Sequence, residues 1–217
     1  MKISFLTLFS FFLAFTISAQ DPLRFQSEID QLILKNGAKK QNRPIVFAGS
    51  SSFRFWTTIQ KDLDNDLIIN NGFGGSHFSD LIYFLDPLIL DLNPRALYIY
   101  EGDNDLADGK NPEQIVYQAS QMIKLIKGQI PDLKIFLISA KPSISRWEKK
   151  PSYLRFNMYL KEYCVETDDV AFIDVWRPML GENGQPNPTL FTEDDLHMND
   201  KGYKIWTEKI KPTLNGL

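Results

Sequence analysis

Apolar residues along this chain gather into short, nearly unbroken runs, and between the runs they recur every three or four positions. Four runs rich in β-branched and aromatic residues predict strands: "PIVFAG" (44–49), "ALYIYEG" (96–102), "KIFLISA" (134–140) and "VAFIDVW" (170–176). A fifth, "DLIINNG" (66–72), is weaker. Continuous rather than alternating apolarity marks strands covered on both faces. The clearest helix lies in "NPEQIVYQASQMIKLIKG" (111–128), where Ile115, Val116, Ala119, Met122, Ile123 and Ile126 share one stripe. Asn111 is placed to cap it, Pro112 suits its first position and Gly128 its exit. Segments 76–91, 152–166 and 200–211 carry helical spacing with less defined ends, and "SFRFWTTIQKDL" (52–63) reads as a helix leaving the first strand. Strands alternating with helices imply an α/β fold, an open and largely parallel sheet held between helices.

The N-terminus departs from this pattern. Lys2 precedes the uncharged apolar stretch "ISFLTLFSFFLAFTI", and Ser18 and Ala19 follow it as small residues. The stretch reads as a signal peptide, residues 1–19, cut after Ala19, with a retained anchor as the alternative. It is too short to span a bilayer comfortably and no stop-transfer pattern follows, so no stable membrane insertion is expected after cleavage. Residues 20–217 then form one domain large enough to bury a full core, secreted to a periplasm or beyond the cell. The net charge of −3 becomes −4 when Lys2 is lost, a mild acidity with no electrostatic footprint for nucleic acid. Cys164 is the only cysteine, so no internal disulfide forms, and its helical setting in "YLKEYCVE" reads as a buried, inert thiol.

In an open parallel sheet, ligand chemistry collects at the carboxyl ends of the strands. Ser51 follows Gly49 there, with a helix start beneath it whose N–H groups can meet a developing oxyanion. "NNGFGGSH" (70–77) has three glycines in four residues, which lets backbone N–H groups approach an anion. It fails as a dinucleotide fingerprint because His77 stands where the last glycine belongs. "YEGDNDLADG" (100–109) is acidic, but Ala107 occupies a required calcium-ligand position and Gly109 falls one residue late. Its Asn104 can donate to a negatively charged oxygen, as an ionised Asp cannot. In the irregular stretch 177–197, Asp194 and His197 are three residues apart, so a turn can lay the carboxylate against Nδ1 and leave Nε2 outward. Each stretch also has an ordinary reading: a capping serine, a simple glycine turn, a turn-forming asparagine, a solvated acidic turn. His77, without a carboxylate just upstream, reads as a surface or helix-start residue, and no His/Cys cluster predicts a metal site.

The joint order of these blocks resembles the SGNH, or GDSL-type, serine esterase and lipase superfamily, over roughly residues 44–211. Where the usual first block reads G-D-S-L, this chain has Gly49, Ser50, Ser51 and Ser52, similar to the "GSSS" branch. Spacing from Gly49 favours Ser51 as the nucleophile, with Ser50 and Ser52 as rivals. Phe53 excludes the G-x-S-x-G elbow of α/β-hydrolases. The resemblance implies a flavodoxin-like three-layer α/β/α sandwich with five parallel strands. It also implies catalysis by Ser51, His197 and Asp194, an oxyanion hole that includes Gly75 and Asn104, and no cofactor. The implied activity is hydrolysis of carboxylic esters through an acyl-enzyme, with a small acyl ester such as an acetylated glycan as the expected substrate. Lysophospholipid or other lipid ester hydrolysis is the alternative within that class, and acyl transfer shares every residue. A non-catalytic carbohydrate-binding protein is the alternative outside it. Phe55, Trp56 and Trp147 are candidates to line the substrate site or to pack the core.

Overall fold

Five strands form where the apolar runs predict them, in a computed structural model that describes residues 21–36 and 43–217. The expected signal segment, residues 1–19, lies outside the described residues. The strands are β1 (Ile45–Gly49), β2 (Ile68–Gly72), β3 (Ala96–Tyr100), β4 (Lys134–Ile138) and β5 (Val170–Ile173). All pair in parallel, in the order β2-β1-β3-β4-β5. The α/β fold with a five-stranded parallel sheet is therefore as expected. Every residue of β1 and β3 is buried, which accounts for their unbroken apolar sequence.

Helices cover both faces: α1 (Gln26–Asn36), α2 (Ser51–Arg54), α3 (Ile59–Asp62), α4 (Phe78–Tyr83), α5 (Leu85–Leu88), α6 (Asp103–Ala107), α7 (Pro112–Gln129), α8 (Lys150–Val165) and α9 (Asp200–Ile210). Alternate strand residues choose between them. Val46, Ala48, Leu97, Ile99, Ile135 and Leu137 join a core built with α1, α4, α5, α7 and α8. Ile45, Phe47, Tyr98, Tyr100, Phe136 and Ile138 join a second core with α2, α3 and α9. On this second face Phe47, Tyr98 and Phe136 stand at paired register positions, and their rings stack at 4.4 and 4.5 Å between centroids. Such pairs contribute about 0.5–1.5 kcal/mol each beyond their burial, and here they fix the register of three strands together.

Several helices differ from their sequence pattern for local reasons. The pattern over 76–91 divides after Tyr83 because Pro87 has no N–H and its ring would strike the carbonyl four residues earlier, that of Tyr83. The segment 52–63 also divides, and the Asn70 amide takes up the carbonyls of Phe53 and Trp56 at the break. α7 runs through Gly128 to Gln129 and stops before Pro131, so the proline rather than the glycine ends it. α1 packs on the core through Ile29 and Leu32, while Ile33 and Leu34 face solvent. Among the described residues, no helix is long and apolar enough to cross a membrane.

β1 ends at a close approach. Gly49 pairs with Tyr100 at φ +143°, and a Cβ there would lie 2.0 Å from the Tyr100 carbonyl oxygen. Gly49 O accepts from Phe73 N, and Ser50 N donates to Tyr100 O, so the exit of β1 is tied to both neighbouring strands. Gly49→Ala is expected to destabilise the protein by about 2 kcal/mol or more, through backbone strain and displacement of β3. Urea denaturation measures this, and an unchanged midpoint would mean the approach can relax freely.

Candidate active site

The three strands at the β2 side of the sheet deliver three loops to one edge, with β1 in the middle. Ser51 leaves β1 as the first residue of α2, so its N–H has no carbonyl one turn earlier within the helix. Of the three consecutive serines, Ser50 and Ser52 are buried, and Ser51 contacts an imidazole: its Oγ lies 3.0 Å from His197 Nε2.

The partner histidine arrives on a turn that the chain closes upon itself. Thr192 N donates to His197 O at 2.8 Å, Phe191 and Met198 pair as an antiparallel bridge, and Asp195 takes a left-handed conformation between them. Asp194 Oδ2 meets His197 Nδ1 at 2.5 Å. Its Oδ1 accepts from the N–H groups of Leu196 and His197 and from Thr192 Oγ1. What burial the carboxyl has would raise its pKa, but these hydrogen bonds, led by that of the imidazole, outweigh it and hold Asp194 well below the usual carboxylate range. An ionised Asp194 accepts Nδ1–H and leaves Nε2 with a lone pair toward Ser51. Leu190, Phe191 and Met198 anchor the loop in the second core.

On the loop after β2, the neighbour of β1, Gly75 takes φ +75° with open space where a Cβ would stand. That left-handed backbone favours glycine. Asn104, in α6 after β3, donates from Nδ2 to Ser76 O at 2.9 Å, which ties the β3 exit to the β2 exit. Ser76 Oγ donates to Glu101 Oε2 at 2.8 Å. Burial, then the neighbouring charge of Asp105, pushes the Glu101 carboxyl well above its usual range. Ser51, His197, Asp194, Gly75 and Asn104, separated along the chain, thus share one edge of the sheet.

Beneath Asn104 lies a cluster without a sequence expectation. Asp103 Oδ1 accepts from Tyr153 Oη at 2.5 Å and Arg146 Nη1 at 2.6 Å, and its Oδ2 from Tyr100 Oη at 2.7 Å and Lys141 Nζ at 3.2 Å. Burial alone would raise the Asp103 pKa, but Lys141 and Arg146 beside it hold the carboxyl well below its usual range. Burial draws Lys141 down and Asp103 only partly offsets this. Arg146 Nη2 also donates to Asn104 Oδ1 at 3.0 Å. The signal available in sequence was two basic residues close together after β4, in "AKPSISR", where a strand exit meets the reactive edge.

The remaining expectations divide. Phe55 is exposed and sets its ring against His197 at 4.7 Å in an edge-to-face contact, whereas Trp56 is fully buried and Trp147 stacks on Trp176. His77 does stand at a helix start, α4, but it is buried rather than on the surface: its Nε2 lies 3.1 Å from Asp108 and its N–H donates to Asp80. Cys164 is buried as expected, and burial pushes its thiol up to about 12.

A sequence profile of the GDSL-like Lipase/Acylhydrolase family matches residues 41–205. No curated protein sequence matches the chain. Among solved structures, a GDSL-like lipase from Bacteroides thetaiotaomicron VPI-5482 is similar at 22% identity and TM-score 0.69, covering 89% of this chain and 97% of that one. A lipase/acylhydrolase from Enterococcus faecalis is similar at 21% identity and TM-score 0.67, covering 80% and 96%. A carbohydrate esterase family 3 protein from Talaromyces cellulolyticus is similar at 15% identity and TM-score 0.64, covering 79% and 96%. At these identities the likeness is one of fold.

Asp103 is the carboxylate paired with both the buried Lys141 and the part-buried Arg146, so Asp103→Ala is expected to destabilise the protein by about 3–5 kcal/mol at neutral pH. Its pKa is depressed on folding. The stabilisation is therefore fully present above the unfolded value of about 4 and is lost as pH falls toward the folded value. Urea denaturation of wild type and variant from neutral to acid pH measures both effects. A difference that does not shrink in acid would assign the loss to packing instead.

Proposed function

Since the chain belongs to the GDSL-like lipase and acylhydrolase family, and so to the esterase and lipase hydrolases, we propose that it cleaves carboxylic esters through an acyl-enzyme on Ser51. The observation that carries this reading is the continuous hydrogen-bonded line from Asp194 through His197 to Ser51 Oγ, at 2.5 and 3.0 Å. Ser51 Oγ attacks the ester carbonyl carbon while His197 Nε2 takes its proton, and Asp194 stabilises the imidazolium without accepting that proton. The carbonyl oxygen, now an anion, receives hydrogen bonds from the N–H groups of Ser51 and Gly75 and from the Asn104 amide. Collapse breaks the ester bond, and His197 passes its proton to the leaving alcohol. Water then attacks the acyl-serine, giving its proton to His197, and the acid leaves as Ser51 Oγ is reprotonated.

The substrate we favour is a small acyl ester, such as an acetyl group on a carbohydrate. A carbohydrate esterase stands among the similar folds, and the exposed Phe55 ring beside His197 offers an apolar platform for a sugar face or a short acyl chain. Lipases are also among the similar folds, which makes lysophospholipids the second reading. With a signal peptide at residues 1–19, the single domain of residues 20–217 acts outside the cytoplasm.

Wild type is expected to hydrolyse p-nitrophenyl acetate and Ser51→Ala to lose that activity. Equal turnover by both would end the assignment of Ser51, and no turnover by wild type would favour a binding protein. Asn104→Ala is expected to lower kcat by about a hundredfold or more with the fold intact. Acetylated glycans and lysophospholipids assayed side by side then decide the substrate class, faster turnover of the glycans being the expected result.

A further inference from the structure

An asparagine amide has a donor end and an acceptor end of nearly the same shape, so its orientation is set by its partners. Only the donor end can serve an oxyanion; turned over, the same side chain presents a carbonyl oxygen and repels it. Here both ends are engaged. Oδ1 accepts from Arg146 Nη2 at 3.0 Å and Nδ2 gives one hydrogen to Ser76 O at 2.9 Å. A flip would set Nδ2 against the guanidinium, donor to donor, and Oδ1 against the Ser76 carbonyl, acceptor to acceptor. Both hydrogen bonds would become repulsions.

The geometry points to Arg146 as a positioning residue that fixes the Asn104 amide with its N–H end available to the reacting carbonyl. This inference rests on the reading of Asn104 as an oxyanion donor. Arg146 is itself held firmly: Nη1 donates to Asp103 Oδ1 at 2.6 Å and to Asp103 O at 3.1 Å, and only 18% of the side chain is exposed. Two nitrogens of one planar fork thus hold the carboxylate and the amide in fixed relation, a geometry that a lysine ammonium cannot reproduce. The same loop reaches the other half of the site, since the N–H groups of Ile144 and Ser145 both donate to Asp195 O in the turn that carries Asp194 and His197.

The test is a mutant cycle on p-nitrophenyl acetate with wild type, Arg146→Lys, Arg146→Met, Asn104→Ala and the double variants, each with a thermal melt. The Arg146 variants are expected to lower kcat about tenfold or more, with KM within about threefold of wild type. In the Asn104→Ala background, loss of Arg146 is expected to change kcat by less than about twofold, because the group it orients is gone. Arg146 variants with wild-type kcat, or losses that multiply in the double variants, would overturn the inference while leaving Asn104 in its role. An Asn104→Ala variant with unchanged kcat would overturn both. Arg146→Lys keeps a cation opposite Asp103, so it decides the question if Arg146→Met fails to fold.

Discussion

The arrangement of this site depends on parallel hydrogen bonding of one short strand on both of its sides. β1 is paired with β2 and β3, and all three run the same way, so their exits open on one edge with that of β1 in the middle. The fixed direction of the backbone ladder brings Ser51, Gly75 and Asn104 together from distant parts of the chain. Gly49 makes the arrangement tight, because only a residue without a Cβ lets β1 end against the Tyr100 carbonyl and turn outward. The aromatic stack across Phe47, Tyr98 and Phe136 resists any slip of one strand against the next. A slip of one residue would exchange the two faces of a strand and carry its loop away from the other two.

Behind this edge the protein buries more polar chemistry than a hydrophobic core tolerates unaided. Each group is accommodated by a different device. Asp103 is held ionised because four donors converge on it, whereas the pKa of Glu101, nearby, is raised because burial and a like charge outweigh its two hydrogen bonds. Asp105 takes Lys110 and the Phe78 N–H. Among the described side chains, Ser143 Oγ is the one buried polar atom without a partner. A network so nearly satisfied is rigid, and that rigidity is what a preorganised oxyanion site needs.

Much of this was legible in the order of residues. The five strands show as apolar runs because both faces of a parallel sheet are covered, and the Asp194–His197 pair shows because its geometry is local to one turn. The cluster around Asp103 was not legible. Lys141 and Arg146 resemble solvated loop charges until β3 and β4 pair and bring them to a carboxylate 38 and 43 residues earlier. The division of 76–91 could be traced to Pro87 alone, but the break at 52–63 depends on the Asn70 side chain arriving from another strand. Of three candidate aromatics, spacing could not tell that Trp56 turns inward to give its indole N–H to Asp62 while Phe55 stays outside.

The closed turn that carries Asp194 and His197 has a consequence for when the protein becomes competent. The two side chains are three residues apart, while the serine lies 146 residues before the histidine. The pair can form as soon as its own short stretch of chain exists, and any shift of the loop carries both partners in step. Docking of this unit against the sheet edge is a separate event. Under the proposed chemistry, a chain whose last quarter has not yet docked holds a finished acid–base pair with nothing to act upon. It stays silent toward esters until folding is complete.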